Sequence, residues 1–359
     1  MTNSCGCALF QDSCFSRFAA LASIRLVKAL SYQSTVVAVW LFAASMDGSH
    51  LMHAQEAIAM QSNAAVQNPA ADVATVEIPV PLGPVEKVKD GFQFTEGPAW
   101  GPDQALYFTD IPANRIFRFS PKDDSLNVFI EPAGHSNGLM FDTNGKLLAC
   151  QMDGQLVSID LSSKEVSVWS DKHNNVRFNA CNDLVIDQQG GVYFTDPRYQ
   201  SPEPYPQGTE AFYYRAPDGT VRRLGQDLLA PNGIGLSPDG QTLYVVPSMQ
   251  KQIMAYPIES PGKIGAGRVL FELQQPEGED NTGGDGMTVD AKGNLYITSA
   301  LGVQICDSQG KLLHIIALAE VPANVTFGGD DFDTLYITAR KGLYRCRMPV
   351  KGFVFGKKL

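Results

Sequence analysis

Six segments of this chain repeat one design: a polar residue, a short apolar run, a turn, and a second apolar run. They begin at Glu96 (EGPAWGPDQALYFTD), Asn137 (NGLMFDTNGKLLACQ), Asn182 (NDLVIDQQGGVYFTD), Asn232 (NGIGLSPDGQTLYVV), Asp285 (DGMTVDAKGNLYITS) and Asn324 (NVTFGGDDFDTLYIT). Successive starts lie 41, 45, 50, 53 and 39 residues apart. A unit of this length cannot bury its apolar face alone and must stack on its neighbours. The turns DTNG, DQQGG, SPDG and DAKG place Gly where two antiparallel strands need a positive φ. A third run follows in most repeats (RIFRFS, QLVSIDL, AFYYRA, QIMAYPI, VQICDS), and a fourth is visible in several, such as LNVFIE and EVSVWS. Four antiparallel strands per repeat, six times over, predict an all-β fold, a six-bladed β-propeller. A β-sandwich would supply short strands without the sixfold register.

The sixth repeat lacks an outer strand of its own. Val76–Pro81 or the segment Gly352–Gly356 could supply it, and the first is preferred because it would latch the ring through its two ends.

The propeller is expected to occupy residues 76–359. Residues 1–54 read as a leader: Ser34–Met46 is an apolar run of 13 residues behind Arg25 and Lys28. That run falls short of the roughly 20 residues needed to cross a bilayer. It fits a secretory signal cleaved near Ala44 or Ala54, so an exported protein with no stable membrane span is expected. Residues 55–75 (QEAIAMQSNAAVQNPAADVAT) read as a flexible linker. The net charge of −10 argues against a nucleic-acid partner, since phosphate binding is driven by Lys and Arg. It is compatible with holding a hard cation. Of seven cysteines, Cys150, Cys181, Cys306 and Cys346 fall in the body, mostly in strand-like apolar contexts, and are expected as buried thiols. One disulfide among them is left open.

In a propeller the first strand of each blade lines the central channel. The repeat-start residues Glu96, Asn137, Asn182, Asn232, Asp285 and Asn324 would then form one ring of oxygen-bearing side chains, two of them carboxylates. Such a ring suits Ca²⁺ or, less selectively, Mg²⁺, Mn²⁺ or Zn²⁺. The plainer alternative is that Asn137, Asn232 and Asp285, each followed by Gly, are turn residues that cap their own backbone. Glu96 resists that alternative, because Glu is a poor turn residue. The chain has no GxSxG, no HExxH and no phosphate-binding glycine loop. With five His in all, two of them in the leader (His50 and His53), a Ser–His catalytic pair is not expected.

The runs FTEGPAW, NGLMFD, RFNACNDLVID with YFTDPRY, APNGIGLSPDG and GDGMTVDAKGNLYIT resemble the gluconolactonase family, which includes senescence marker protein and the luciferin-regenerating enzyme. The likeness spans about residues 85 to 348. It implies one catalytic divalent cation in the channel, typically Ca²⁺ or Zn²⁺, and a small-molecule lactone substrate. Carried over by motif, it implies Glu96, Asn232 and Asp285 as direct ligands, with Asn182 binding the metal directly or through water and substrate. It also implies Asp285 as the general base. The chain departs from the family pattern in having Ala180 and Cys181 where relatives often carry Ser and Pro. Arg177 and Asn179 beside them are candidate substrate contacts, as is Asn137 from the ring. His135 is placed near the channel mouth. A promiscuous phosphotriesterase and a non-catalytic ligand-binding propeller stand as alternatives.

Overall fold

A computed structural model describes residues 78–355. The leader, the linker and Gly356 lie outside the described residues, as do Cys5, Cys7 and Cys14. Each repeat forms one antiparallel sheet, and in the first five the strands run outward in chain order. The inner strands are Thr95–Trp100, Ser136–Phe141, Leu184–Ile186, Pro231–Leu236, Gly284–Val289 and Asn324–Gly328. Six sheets set side by side around these strands make the six-bladed propeller. No described residue is helical.

Burial explains the strand order. The second strands Leu106–Asp110, Val192–Asp196 and Leu295–Ser299 are buried at every position. The outer strand Val166–Ser170 keeps three exposed positions. Between blades the sheets interlock through apolar clusters. Leu148, Cys150 and Leu156 of the second blade meet Phe178, Phe194 and Tyr213 of the third. Each large side chain taken out of water there contributes about 1.5–3 kcal/mol.

Polar bonds fix the blades' angular positions. Thr109 Oγ1 donates to the Asn137 carbonyl of the next blade at 3.2 Å, Thr195 Oγ1 to that of Asn232 at 2.7 Å, and Thr298 Oγ1 to that of Ala323 at 2.7 Å. The recurring FTD, FTD and ITS endings of the second strands therefore anchor the neighbouring inner strand.

The ring closes through the N-terminal side, but not with Val76–Pro81. The outer strand of the sixth blade is Glu86–Asp90, paired antiparallel with Gly342–Arg347. Val76 and Glu77 lie outside the described residues. Ile78, the first described apolar residue of that stretch, is exposed, so it has no blade surface to bury against. Gly352, from the other segment, bridges Asp290, and Phe353–Phe355 crosses the far end of the channel. The four body cysteines are free and buried.

Candidate active site

Inner and second strands run antiparallel, so the start of each inner strand and the end of each second strand meet at the same end of the channel. At that end lies a cavity of about 430 Å³. Glu96, Asn137, Asn182, Asn232 and Asp285 line it. Asn324 does not: it lines the opposite end, where its Nδ2 donates to Asp183 Oδ2 at 3.4 Å and its Oδ1 accepts from Val325 N at 2.8 Å.

Asn137, Asn232 and Asp285 are not turn residues. They lie inside strands, at points where the pairing register with the second strand breaks. Glu96 sits at the same kind of break. Such an irregularity re-aims a side chain, here toward the channel. The glycines that follow answer to crowding. A Cβ on Gly97, whose φ is +45°, would sit 1.8 Å from the Asn137 carbonyl oxygen, and one on Gly286 would sit 2.0 Å from Asn324 Cγ.

Asn232 Nδ2 donates to Asp285 Oδ1 at 2.7 Å and to Ser248 Oγ at 3.0 Å. Its Oδ1 is buried and has no hydrogen-bond partner. A buried acceptor left this way costs roughly 1–3 kcal/mol, so it marks a place where a ligand would be stabilising. Glu96 accepts from its own neighbour's amide, Gly97 N, at 2.9 Å. Burial drives the Glu96 carboxyl above the usual range, with the Gly97 amide and the Asn324 side chain opposing. Burial first, and then the Glu96 charge, drives half-buried Asp285 well above it too, while the Arg340 charge opposes. A carboxylate whose charge raises its neighbour's affinity for positive charge, beside an orphaned amide oxygen, is a set of oxygen donors that could hold a hard cation. Among the described residues no three His, Cys, Asp or Glu side chains cluster as a metal site, so a cation here would need the amide oxygens as donors.

The other sequence-nominated contacts are placed outside the cavity lining. Asn179 is fully buried: its amide donates to the carbonyls of Asp196 and Thr209, and its Oδ1 accepts from Gln207 N at 2.9 Å. These bonds tie down the loop that sends Tyr199 and Gln200 to the cavity wall. Arg177, in a short hairpin with Lys172–His173, donates to the Asp153 carbonyl at 2.5 Å and lies over Gly154. His135 pairs through Nδ1 with Asp153 Oδ1 at 3.0 Å. Asn137, by contrast, faces the cavity, with Nδ2 4.0 Å from Met152 Sδ.

Several lining residues escaped the sequence reading: Ile111, Met152, Tyr199, Ser248, Ala300 and Arg340. All directly or closely follow a second strand. The antiparallel geometry itself was the signal that could have found them.

A six-bladed propeller with a carboxylate–amide cluster at one end of its channel defines the class of this protein. The family model described as the SMP-30/gluconolactonase/LRE-like region matches residues 94–341, and the chain belongs to that family. A gluconolactonase from Zymomonas mobilis is 29% identical over 295 residues, covering 75% of this chain and 82% of the relative. The pentonolactonase XacC of Haloferax volcanii is 28% identical over 253 residues, covering 69% of this chain and 81% of the relative. Among solved structures, a gluconolactonase from Xanthomonas campestris superposes with a TM-score of 0.66 at 27% identity, covering 74% of this chain and 89% of that one. A luciferin-regenerating enzyme shares the fold at 22% identity with a TM-score of 0.66, over 78% of this chain and 100% of that one.

Proposed function

We propose that this protein hydrolyses a lactone with the help of one divalent cation held by Glu96, Asn232, Asp285 and Asn182. The observation that carries the reading is the unpartnered Asn232 Oδ1 beside buried Glu96 and half-buried Asp285 in a cavity large enough for a sugar ring. The activities named for the Zymomonas and Haloferax relatives support lactones as the substrate class. All-oxygen donors favour Ca²⁺, with Mg²⁺, Mn²⁺ and Zn²⁺ as the other cations to test.

Bound there, the cation supplies Lewis acidity for the lactone carbonyl and lowers the pKa of a nearby water. Asp285 takes the proton of the attacking water. Its Oδ1 is held by Asn232 Nδ2, which leaves Oδ2 to act as the base. The water oxygen bonds to the carbonyl carbon, the ring C–O bond breaks, and the proton on Asp285 passes to the departing ring oxygen. The product is the open hydroxy acid. Asn182 and Asn137 present amides to the ring hydroxyls, while Phe94, Ile111 and Met152 give the cavity an apolar wall.

The test is hydrolysis of glucono-δ-lactone by chelated protein, before and after addition of each of the four cations. Turnover restored by a cation, and lost again in Glu96→Gln and Asp285→Asn, is expected. No turnover with any cation would overturn the reading.

A further inference from the structure

Arg340 carries the one positive charge among the residues lining the cavity. It occupies the two-residue turn between the paired residues Ala339 and Gly342, with a φ of +48°. A hairpin position with positive φ ordinarily goes to Gly or Asn, since a long side chain there is strained. The backbone is held by the residue preceding Glu96: the Arg340 carbonyl accepts from Thr95 N at 2.7 Å and from Thr95 Oγ1 at 3.2 Å. The guanidinium stacks on the Phe94 ring, 4.9 Å from its centroid. No described residue hydrogen-bonds it, and the side chain is exposed at the cavity wall. The strained turn and the aromatic platform thus hold five N–H donors without a protein acceptor.

The charge pattern says what they are for. Glu96 and Asp285 are the carboxylates of the cavity, and a divalent cation balances both. Asp183 lines the opposite end of the channel, where it accepts from Asn324 Nδ2, and Asp110 is taken up by the amides of Gln93 and Phe94. The Arg340 charge then remains for whatever else enters. We propose that Arg340 on Phe94 is an anion-recognition subsite, and that the substrate is a lactone bearing an acidic substituent, carboxylate or phosphoryl, on the carbon chain away from the ester. A guanidinium fork takes either group with two parallel hydrogen bonds. This rests on the lactonase reading for the position of the ester, but the anion subsite can be measured without turnover.

Calorimetry with Ca²⁺-saturated wild-type protein should show D-glucuronate binding about tenfold or more tightly than D-glucose, a preference worth that of one charge-assisted bond pair. Both are closed sugar rings that cannot be hydrolysed. Glucose phosphate in place of glucuronate separates phosphoryl from carboxylate preference, and tighter binding of either acid supports the subsite. The preference should vanish in Arg340→Gln and survive in part in Arg340→Lys, which keeps the charge without the fork. In kinetics, the kcat/KM ratio of glucaro-γ-lactone to glucono-γ-lactone should fall about tenfold to hundredfold in Arg340→Gln. Equal binding of glucuronate and glucose by the wild type would overturn the proposal. So would an equal kinetic loss for both lactones, which would make Arg340 a charge balance for Glu96 and Asp285. Absence of turnover on every lactone, with the glucuronate preference intact, would sink the lactonase reading and leave the anion subsite standing.

Discussion

Asn232 Nδ2 lies 2.7 Å from Asp285 Oδ1, joining two inner strands whose residues are 53 positions apart. The bond fixes the carboxylate and at the same time turns the Asn232 oxygen to where it has no partner. Asn232→Ala should weaken cation binding by about tenfold to hundredfold or more, since even outer partners of metal ligands are worth that much. Asp285→Asn should keep its place beside Asn232 yet lower kcat by about 10²- to 10⁴-fold, the usual worth of a general base. Calorimetric titration with Ca²⁺ alongside lactone kinetics checks both; full activity in Asp285→Asn with metal bound would exclude Asp285 as the base.

The channel's acids make the metal-free protein sensitive to pH. Burial, followed by the Glu96 charge, raises Asp183 from 3.8 to about 7, and burial shifts Glu96 and Asp285 in the same direction. A carboxyl whose pKa is higher folded than unfolded binds its proton better in the native state. Its contribution is therefore complete below about pH 4 and disappears as pH rises toward 7. Chelated protein should lose stability across that window, by at most about 1.4 kcal/mol per pH unit for each such group. Denaturant midpoints at several pH values should show the slope, flatter in Asp183→Asn and flatter again with saturating Ca²⁺. A wild-type profile that is level without metal would contradict this.

Crowding around the channel predicts intolerance at two glycines. Gly286→Ala drives a methyl into the Asn324 amide, and Gly97→Ala drives one into the Asn137 carbonyl at a backbone angle that disfavours any side chain. Overpacking of this kind costs about 1–3 kcal/mol, and Gly97→Ala should be the worse of the two. Thermal melts of the purified variants measure it.

Asn179 should behave as a fastener of the loop that carries Tyr199 and Gln200. Asn179→Ala strands the Gln207 amide and the Thr209 carbonyl, at a cost of about 1–3 kcal/mol. Limited proteolysis within residues 197–209 should accelerate, and KM should rise more than kcat falls. A variant with unchanged stability and a collapsed kcat would return Asn179 to direct substrate contact.

Much of this protein is legible in its sequence, because a repeated unit states its architecture once per copy. The turn at Asp142–Gly145 shows the mechanism: Asp142 Oδ1 accepts from Asn144 N at 2.9 Å and Lys146 N at 2.8 Å, and Gly145 adopts the positive φ. Those interactions lie within five residues, so local chemistry dictates them. The ring of polar residues was legible for the same reason, since a fixed place in the repeat becomes a fixed place around the channel.

Contacts that depend on how blades face one another were not legible. Asn324 shares the repeat position of Glu96 but lies beneath it, with its amide reaching Asp183, 141 residues away, and does not line the cavity. Asn179 and Arg177 sit in a motif close to Asn182, yet Asn179 is bonded into a loop and Arg177 lies at the open end of a short hairpin, turned to the Asp153 carbonyl. The outer strand of the last blade came from Glu86–Asp90 because only ring closure decides which terminal segment meets Gly342–Arg347. Sequence alone thus determined the six strand–turn–strand units and the oxygen donors at their starts, which follow from hydrogen bonds and apolar spacing between near neighbours. Tertiary structure alone decided which donors converge and that Arg340 faces them, because those relations arise only when six blades close into a ring.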